Sequence, residues 1–345
     1  MPLTLEQVAK SAGVSRSTVS RVLNQDPNVN GRTRERVLAV MKRLNFHPNV
    51  AARGLAAGRT HIIGLVIPMG VSELFTDPYF PILMQGVASA CNAHDWFVML
   101  WLAEPEQERR MIGKIVHGGL MDGVIVASAL MDDAVLHALQ ESQMPFVLVG
   151  RHPTDSRVSY VDVDNHNGTR EMVNYLLRMG YRRIATITGP RNMIAGHDRR
   201  EGYLDALRSR GMTPDPNLIV EGDFTQAGGY TAMQRLLSQA CNGGGKHAQL
   251  DAVFAASDMM AVGALRALRE AGKRVPEDVA LASYDDMPIA ANTNPPLTTV
   301  RQPIHRNGMV AAETLFDMIE HPGSPPRRIV LPAELVIRAT TGSKS

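Results

Sequence analysis

The stretch that most constrains how this chain folds is residues 4–24, TLEQVAKSAGVSRSTVSRVLN, which predicts two short helices joined by a tight turn. Thr4 is placed to cap the first helix, and Gln7 three residues later completes a capping-box pattern. Gly13 supplies the backbone freedom that the turn requires, and Ser15 is placed to cap the second helix. The sequence therefore predicts where each helix begins.

The second of these helices has a polar side and an apolar side. Its apolar side is formed by valine and leucine residues, and the opposite side presents Arg16, Ser17, Ser20 and Arg21. In a helix-turn-helix motif, the first part of the second helix enters the major groove of DNA, and Arg16 and Ser17 lie in that first turn. An amphipathic helical hairpin that only packs into a core is the alternative interpretation.

The spacing A-x3-G-V-S-x2-T-V-S-R-V-L-N over residues 9–24 resembles the DNA-binding head of the lactose-repressor (LacI/GalR) family of bacterial transcription regulators. The resemblance extends from Thr4 to about Thr341. Its later motifs are IGLVIP at 63–68, R-x-x-G-Y at 199–203, S-D-x-M-A-x-G-A at 257–264, YDD at 284–286 and PPLTTVRQP at 295–303. It implies a dimeric repressor that binds palindromic double-stranded operator DNA and responds to a small effector, a sugar or sugar derivative.

The charge of the chain is divided unequally. Residues 1–61 hold ten lysine and arginine residues against three acidic ones, a net charge of +7, so that the remainder carries −5 of the total of +2. A basic head on a mildly acidic body indicates that the head alone binds nucleic acid.

A third helix is predicted from about Arg32 to Leu44, because apolar residues recur at helical spacing after a possible cap at Asn30. The residues expected to face the core are Val37, Leu38, Met41 and Leu44. Pro48 ends this helical domain, because proline and the residue before it both disfavour a continuing helix.

The segment after Pro48, NVAARGLAAGRT, has the composition of a flexible linker. The resemblance implies instead a hinge helix that orders on operator DNA, lies in the minor groove and wedges a leucine between base pairs. Asn49, Arg53 and Leu55 match the family pattern at this point. Apolar wedges are known to kink DNA from the minor groove.

From His61 onward, short apolar runs alternate with longer helical patterns, which is typical of parallel sheets built from βαβ units. The predicted strands are 62–67, 97–102, 123–126, 146–149, 184–188, 252–255 and 279–282. The predicted helices are 82–94, 106–117, 133–141, 166–179, 199–210, 227–239 and 259–271. The alternation runs once to about Asp162 and then begins again, which predicts two α/β subdomains.

The predicted fold is an all-α helix-turn-helix head joined to an α/β core of two parallel-sheet subdomains, and that core resembles periplasmic sugar-binding proteins. We expect a DNA-binding domain at 1–47, a hinge helix or linker at 48–60, and an effector-binding and dimerisation core at 61–345. Within the core, the chain is expected to cross between the subdomains near 162 and within 290–330.

Two kinds of DNA contact are expected in the head. Arg16 and Arg21 can each donate a bidentate pair of hydrogen bonds to guanine, and Ser17 is a smaller and less selective group. Phosphate contacts, which position a protein without recognising sequence, are expected from Thr4, Ser15, Thr18, Ser20, Asn24 and Thr33. For each hydroxyl, a capping or surface role is the alternative.

The effector is expected in the crevice at the carboxyl ends of the strands, between the two subdomains. The resemblance implies an aromatic contact from Tyr79 or Phe80, at the start of the first helix after the first strand. It also implies a hydrogen bond from Arg199, a carboxylate for ligand hydroxyls at Asp285, and further contacts from Phe224, Ser257 and Gln302. A surface position for Arg199, a turn cap at Asp285 and a core position for Phe224 are the alternatives.

Two residues depart from the family pattern in this crevice. Ser257 stands where many members have asparagine, and it lacks the amide donor. Gly150 offers no side chain where some members place an acid, and Arg151 follows it. Both departures bear on which ligand is bound, and a purine or nucleoside is the alternative to a sugar.

Several other classes are disfavoured. The N-terminus lacks a secretory apolar segment and no apolar run approaches about 18 residues, so we expect a cytoplasmic protein without a membrane span. The lack of a secretory segment and the basic head together disfavour a periplasmic solute-binding protein. Neither a phosphate loop, nor G-x-S-x-G, H-E-x-x-H or a dinucleotide fingerprint, occurs in a strand–helix context, so we expect no enzyme of the α/β class.

No cofactor or structural metal is expected. Cys91 and Cys241 lie far apart and form no C-x-x-C pair, which is typical of small buried residues in a reducing compartment. After Arg338 only ATTGSKS remains, without a leucine heptad of the kind that makes tetramers, so we expect a homodimer.

Overall fold

The computed structural model describes residues 3–23, 26–46, 59–68, 71–102, 112–114, 116–128, 130–131, 133–152, 154–155, 157–242 and 250–342. The chain forms two compact units, Met1–Thr60 and His61–Ser345. The predicted DNA contacts of Asn24, Asn49, Arg53 and Leu55 fall outside the described residues.

The N-terminal unit contains three helices, α1 (Leu5–Ala12), α2 (Arg16–Leu23) and α3 (Gly31–Arg43). The predicted capping box is present, because the Thr4 hydroxyl accepts a hydrogen bond from the Gln7 amide and the Gln7 side chain accepts one from the Thr4 amide. Gly13 ends α1 at φ +65°, a left-handed conformation that suits glycine. The helices pack on a small core of valine, alanine and methionine residues.

The third helix differs from the prediction on one side. Asn30 caps it as expected, with its side chain accepting a hydrogen bond from the Arg32 amide at 2.9 Å. Leu38, predicted to face the core, is instead 49% exposed, and Val40 is buried. Val37 and Met41 are buried as predicted and Leu44 packs against the same core, so only Leu38 departs from the expected set, and Val40 takes its place.

The first sheet of the core consists of β1 (Ile62–Val66), β2 (Phe97–Trp101), β3 (Gly123–Ala127), β4 (Phe146–Val149), β5 (Ser159–Val163) and β11 (Arg328–Leu331). These six strands are parallel and lie in the order β11-β5-β4-β3-β1-β2. Helices α4 (Val71–Thr76), α5 (Tyr79–Ala93) and α6 (Ala134–Glu141) connect them.

The second sheet consists of β6 (Ile184–Thr188), β7 (Ile219–Glu221), β8 (Ala252–Ala255), β9 (Ala280–Asp285), β10 (Thr298–Arg301) and β12 (Glu334–Val336). These six strands lie in the order β12-β10-β9-β8-β6-β7. The helices are α7 (Asn165–Arg178), α8 (Ile194–Arg208), α9 (Gln226–Asn242), α10 (Asp258–Glu270) and α11 (Pro288–Asn292). Only β12 runs antiparallel to its neighbour among the described strands, so the second sheet is mixed rather than purely parallel.

The chain passes between the two sheets repeatedly. It leaves the first sheet after β5, returns after β10 through α12 (Ile304–Glu320) and β11, and enters the second sheet again at β12. Helix α12 packs closely on α5: a Cβ at Gly86 would lie 2.0 Å from the carbonyl oxygen of His305, and one at Gly308 would lie 2.3 Å from that of Leu83. These glycines allow the backbones of the two helices to touch.

The strands predicted from apolar runs are all present, with ends shifted by a few residues. The short strands β5, β7, β10, β11 and β12 were not predicted. The predicted helix 106–117 lies mostly outside the described residues. Across the described ranges, no helix is both long and apolar enough to cross a bilayer.

Candidate functional site

A cavity of about 770 Å³ opens in the core where the carboxyl ends of strands from both sheets meet. Its lining includes every residue of the core predicted to contact an effector: Tyr79, Phe80, Arg199, Phe224, Ser257, Asp285 and Gln302. The volume lies within the range of about 300–1,000 Å³ that is typical of small-molecule sites. The structure therefore brings these residues together, although they are far apart in the sequence.

Arg199 in α8 is fixed from several sides. Its Nε donates to Oδ1 of Asn165 at 2.9 Å, and its Nη1 donates to the carbonyl oxygen of Ala256 at 2.6 Å and to Oδ1 of Asp285 at 3.2 Å. Its guanidinium carbon lies 3.8 Å from the ring centroid of Tyr284, a cation–π distance. The residue is only 4% exposed, so the alternative of a surface arginine is wrong.

Asp285 ends β9 and lies beside Arg199 in the cavity. The Oδ1 atom that accepts from Arg199 also accepts from Nε2 of Gln302 at 2.6 Å. Burial raises the pKa of the Asp285 carboxyl, and the neighbouring Arg199 guanidinium opposes that rise. Its φ of +115° is rare for a residue with a side chain, and such strained positions tend to occur at binding sites.

Aromatic rings form another part of the lining. Tyr79 and Phe80 begin α5 and contact each other edge to face at 5.2 Å between centroids. Helix α4 precedes them, so α5 is the second helix after β1 and the prediction of the first is wrong. Phe224 follows β7 and contacts the backbone at Gly189, where a Cβ would lie 2.2 Å from the ring.

Ser257 lines the cavity and also caps a helix. Its hydroxyl accepts a hydrogen bond from the Met260 amide at 3.2 Å and so caps α10. The residue is 4% exposed. Asparagine caps a helix as well as serine does, so the cap does not by itself explain why serine stands at this position.

The two arginines of α2 lie on the surface of the N-terminal unit. The side chains of Arg16 and Arg21 are 70% and 67% exposed. Arg16 pairs with Glu6 at 3.2 Å, and Arg21 approaches Asp26 at 3.9 Å. Exposed pairs of this kind contribute little to stability, so both arginines can exchange their partner for DNA at small cost.

The hydroxyl groups of α2 form a local cluster at its start. The Ser15 hydroxyl accepts from the Thr18 amide at 3.1 Å, as predicted for a cap, and lies 2.7 Å from the Ser17 hydroxyl. Ser20 and Thr33 are half-buried. For Thr4 and Ser15 the capping role is present in the structure, and their phosphate contacts stay predictions.

Comparison with known proteins gives the family of the chain. Residues 4–49 match a domain described as bacterial regulatory proteins, lacI family, and residues 173–341 match a periplasmic binding protein-like domain. The HTH-type transcriptional regulator CelR of Thermobifida fusca is 41% identical over 337 residues, which cover 97% of this chain and 97% of that protein. This chain belongs to the LacI family of bacterial transcriptional regulators.

Solved structures of related regulators cover both the head and the core of this chain. A structure described as a transcriptional regulator CelR–cellobiose complex is 39% identical, covers 98% of this chain and 100% of its own, and has a TM-score of 0.78. A Lac repressor dimer bound to operator and the anti-inducer ONPF is 27% identical over 99% of this chain and 100% of its own, with a TM-score of 0.85. The predicted combination of a helical head with a two-sheet core is confirmed.

Several residues of this LacI-family cavity were not predicted as contacts. Arg151, after β4, donates from Nε to Oδ2 of Asp198 in α8 at 3.1 Å and pairs with the other oxygen as well. Asp162 near the end of β5 and Asn165 at the start of α7 also line the cavity. A strand prediction for the alternating run SYVDV would have placed Asp162 at the same sheet edge as Arg151.

Proposed function

We propose that this chain is a homodimeric repressor that binds a palindromic operator and whose DNA affinity is set by a sugar in the core cavity. The observation that carries the proposal is the buried Arg199–Asp285 pair, which lies in a cavity with aromatic walls. A fixed guanidinium and a carboxylate provide donors and acceptors for hydroxyl groups, and aromatic rings suit the apolar face of a sugar.

The relatives support both parts of this proposal. The CelR structure is described as a complex with cellobiose, and the Lac repressor structure is described as a dimer bound to operator. On the DNA side, the exposed arginines of α2 and the net charge of +7 over residues 1–61 favour the same kind of contact here.

The effector can control DNA binding because it would contact both sheets. Asp162 and Tyr79 belong to the first sheet and its helices, whereas Arg199 and Asp285 belong to the second. A ligand that binds one arrangement of the two sheets more tightly shifts the population toward that arrangement. Typical coupling of this kind is about 1–3 kcal/mol, a 5- to 150-fold change in affinity.

The experiment begins with DNA selected by the purified chain from random duplexes. We expect a palindromic consensus, because a symmetric dimer places two heads on two half-sites. Binding to that duplex is then measured with and without cellobiose, maltose, trehalose and glucose. A sugar that changes the operator affinity at least fivefold supports the proposal.

Controls distinguish an error in the assigned ligand from an error in the assigned DNA-binding function. Asp285→Ala should abolish the sugar response, whereas Asp205→Ala, at an exposed carboxylate of α8, should retain it. Selection of a non-palindromic site would contradict the dimer. A nucleoside that alters DNA affinity when no sugar does would replace the sugar, and steady turnover of a sugar would contradict a function without catalysis.

A further inference from the structure

The cavity contains more carboxyl groups than its arginines can balance. The charged aspartate and arginine residues of its lining are Asp77, Asp162, Asp223, Asp285, Arg151 and Arg199. Each arginine already holds a carboxylate, since Arg199 pairs with Asp285 and Arg151 pairs with Asp198. An anionic ligand would therefore meet no unpaired guanidinium in the described lining.

Helix N-termini at the cavity could attract an anion, because their free amides and their dipoles favour negative charge. The protein places its own side chains at these ends. Asp77 accepts from the Tyr79 amide at 2.9 Å at the start of α5, and Asp223 accepts from the Thr225 amide at 2.8 Å just before α9. Asp77 and Asp223 are also less buried than Asp162, which is therefore the one buried carboxyl of the described lining that no arginine holds within hydrogen-bond distance.

Asp162 is 5% exposed, and the two oxygens of its carboxyl group differ. Oδ1 accepts from the Val163 amide at 2.8 Å and from Nδ2 of Asn165 at 3.3 Å. Oδ2 lies 4.0 Å from Nε of Arg151, which is too long for a hydrogen bond, and no residue of the described chain donates one to it. Oδ2 is not enclosed by the protein, so a ligand hydroxyl in the cavity can supply the donor that the described residues do not.

The charge of Asp162 persists at neutral pH. Burial raises the pKa of its carboxyl to about 6, and the nearby Asp198 carboxylate contributes to the rise. At pH 7 the ionised form therefore predominates, so the cavity lining carries negative charge at this position, with Nε of Arg151 4.0 Å from one oxygen.

We propose that Asp162 makes this cavity selective for an uncharged, hydroxyl-rich sugar and against the phosphorylated or acidic forms of the same sugar. The inference rests on the proposed function and narrows its ligand class. A hydroxyl group donates to the free Oδ2 and satisfies it. A phosphate or carboxylate brings a like charge into a site of low dielectric, where repulsion is strong and screening by salt is weak.

The test uses pairs of sugars that differ in charge: cellobiose with cellobionic acid, trehalose with trehalose 6-phosphate, and glucose with glucose 6-phosphate. Binding to the full chain at pH 7.5 is measured by calorimetry and by thermal shift. In at least one pair we expect the neutral member to bind about tenfold or more tightly than its anion. An anion that binds as tightly as its neutral partner overturns the inference and leaves the proposed function intact.

The variant Asp162→Asn tests whether this side chain is the selector. It keeps the volume and the Oδ1 acceptor but removes the charge, so the ratio between neutral and anionic affinity should fall about tenfold. The control Asp205→Asn removes the same charge from a residue outside the lining and should leave the ratio unchanged. An unchanged ratio in Asp162→Asn overturns the inference.

Two further outcomes are distinguishable. If no neutral sugar binds, the sugar assignment fails and this inference fails with it. If Asp162→Asn does not fold, which its melting curve without ligand reveals, the wild-type pairs still decide whether the cavity excludes anions, and Asp162→Ser provides a second uncharged variant.

Discussion

In the N-terminal unit the arginines expected to recognise DNA are exposed, whereas in the core the arginine expected to recognise the effector is buried. The Arg16 and Arg21 side chains are 70% and 67% exposed, and each faces one acidic residue. The Arg199 side chain is 5% exposed and is held by a carboxylate, an amide, a carbonyl group and an aromatic ring. A surface arginine can rearrange to suit a base pair, whereas a buried one is oriented before the ligand arrives.

This difference in burial predicts which substitutions change binding and which change the stability of the fold. Removing a surface arginine changes what the protein binds and leaves the fold nearly unaffected. Removing one partner of a buried pair leaves an uncompensated charge in the interior, which destabilises the fold strongly. Substitutions in the head should therefore change binding without changing stability, whereas those in the cavity should change both.

The largest effect is expected from Asp285→Ala in the cavity. The substitution leaves the Arg199 guanidinium buried without its carboxylate, so the free energy of unfolding should fall by about 3–5 kcal/mol. Urea unfolding of the full chain measures this loss, with Asp205→Ala as the matched exposed control. A loss below about 0.5 kcal/mol, the level of an ordinary surface substitution, would show that the pair is not held as the structure indicates.

The next effect is a pH dependence that has opposite signs in the two regions. The native pKa of Asp162 is about 6, above its ordinary value of 3.8, so the native state is destabilised as the pH rises through this range. Asp162→Asn lacks this penalty. Between pH 4 and pH 7, the free energy of unfolding of the variant should rise relative to that of the wild type by up to about 3 kcal/mol. Urea unfolding at a series of pH values measures the difference.

Glu6 in the head provides the contrast. Hydrogen bonds from its own backbone amide and from Thr4 hold the pKa of its carboxyl below the usual range. Its ionised form therefore stabilises the native state above the unfolded pKa and loses that contribution as the pH falls. Glu6→Gln should become less stable than the wild type as the pH rises, whereas Asp162→Asn should become more stable. If both variants changed stability in the same direction, the contrast between the head and the cavity would be wrong.

A smaller effect is expected from Arg16→Ala in the head. Loss of a bidentate contact to guanine should reduce discrimination at one operator position by about 1–3 kcal/mol, with the melting temperature unchanged. Binding to operators with single base changes measures it. Lys10→Ala, an exposed substitution in α1, should weaken all operators alike, and a uniform loss in Arg16→Ala would contradict a role in base recognition.

The two regions also differ in how far the sequence predicts them. In the head, Thr4, Gln7, Gly13 and Ser15 act on partners within a few residues, so their spacing alone predicts the capping bonds that the structure contains. The exception is Leu38, where two helical stripes fit the same apolar residues and only packing on α1 and α2 selects between them.

The cavity depends on contacts between distant parts of the chain. Only the resemblance to a family indicates Arg199 and Asp285 as ligand contacts, and no local spacing in the sequence predicts that they pair. Arg151, Asp162 and Asp198 were missed, because their arrangement depends on the adjacency of β4 and β5 and on the position of α8. Strands β10 (TTVR) and β12 (ELV) are equally hard to predict, because their polar residues interrupt the apolar run that identifies four-residue strands such as β4 and β8.

The smallest expected effect tests whether the N-terminal unit unfolds independently of the core. Thr4→Ala removes the cap of α1 and should cost about 1 kcal/mol in the N-terminal unit, whereas Thr4→Ser keeps the hydroxyl and should cost less. Hydrogen exchange of the α1 amides should accelerate about fivefold in Thr4→Ala, while the amides of β3 in the core keep their wild-type rates. Equal acceleration of exchange in β3 would mean that the two units unfold together. A substitution in the head would then also change the stability of the core, which would contradict the contrast between the two regions.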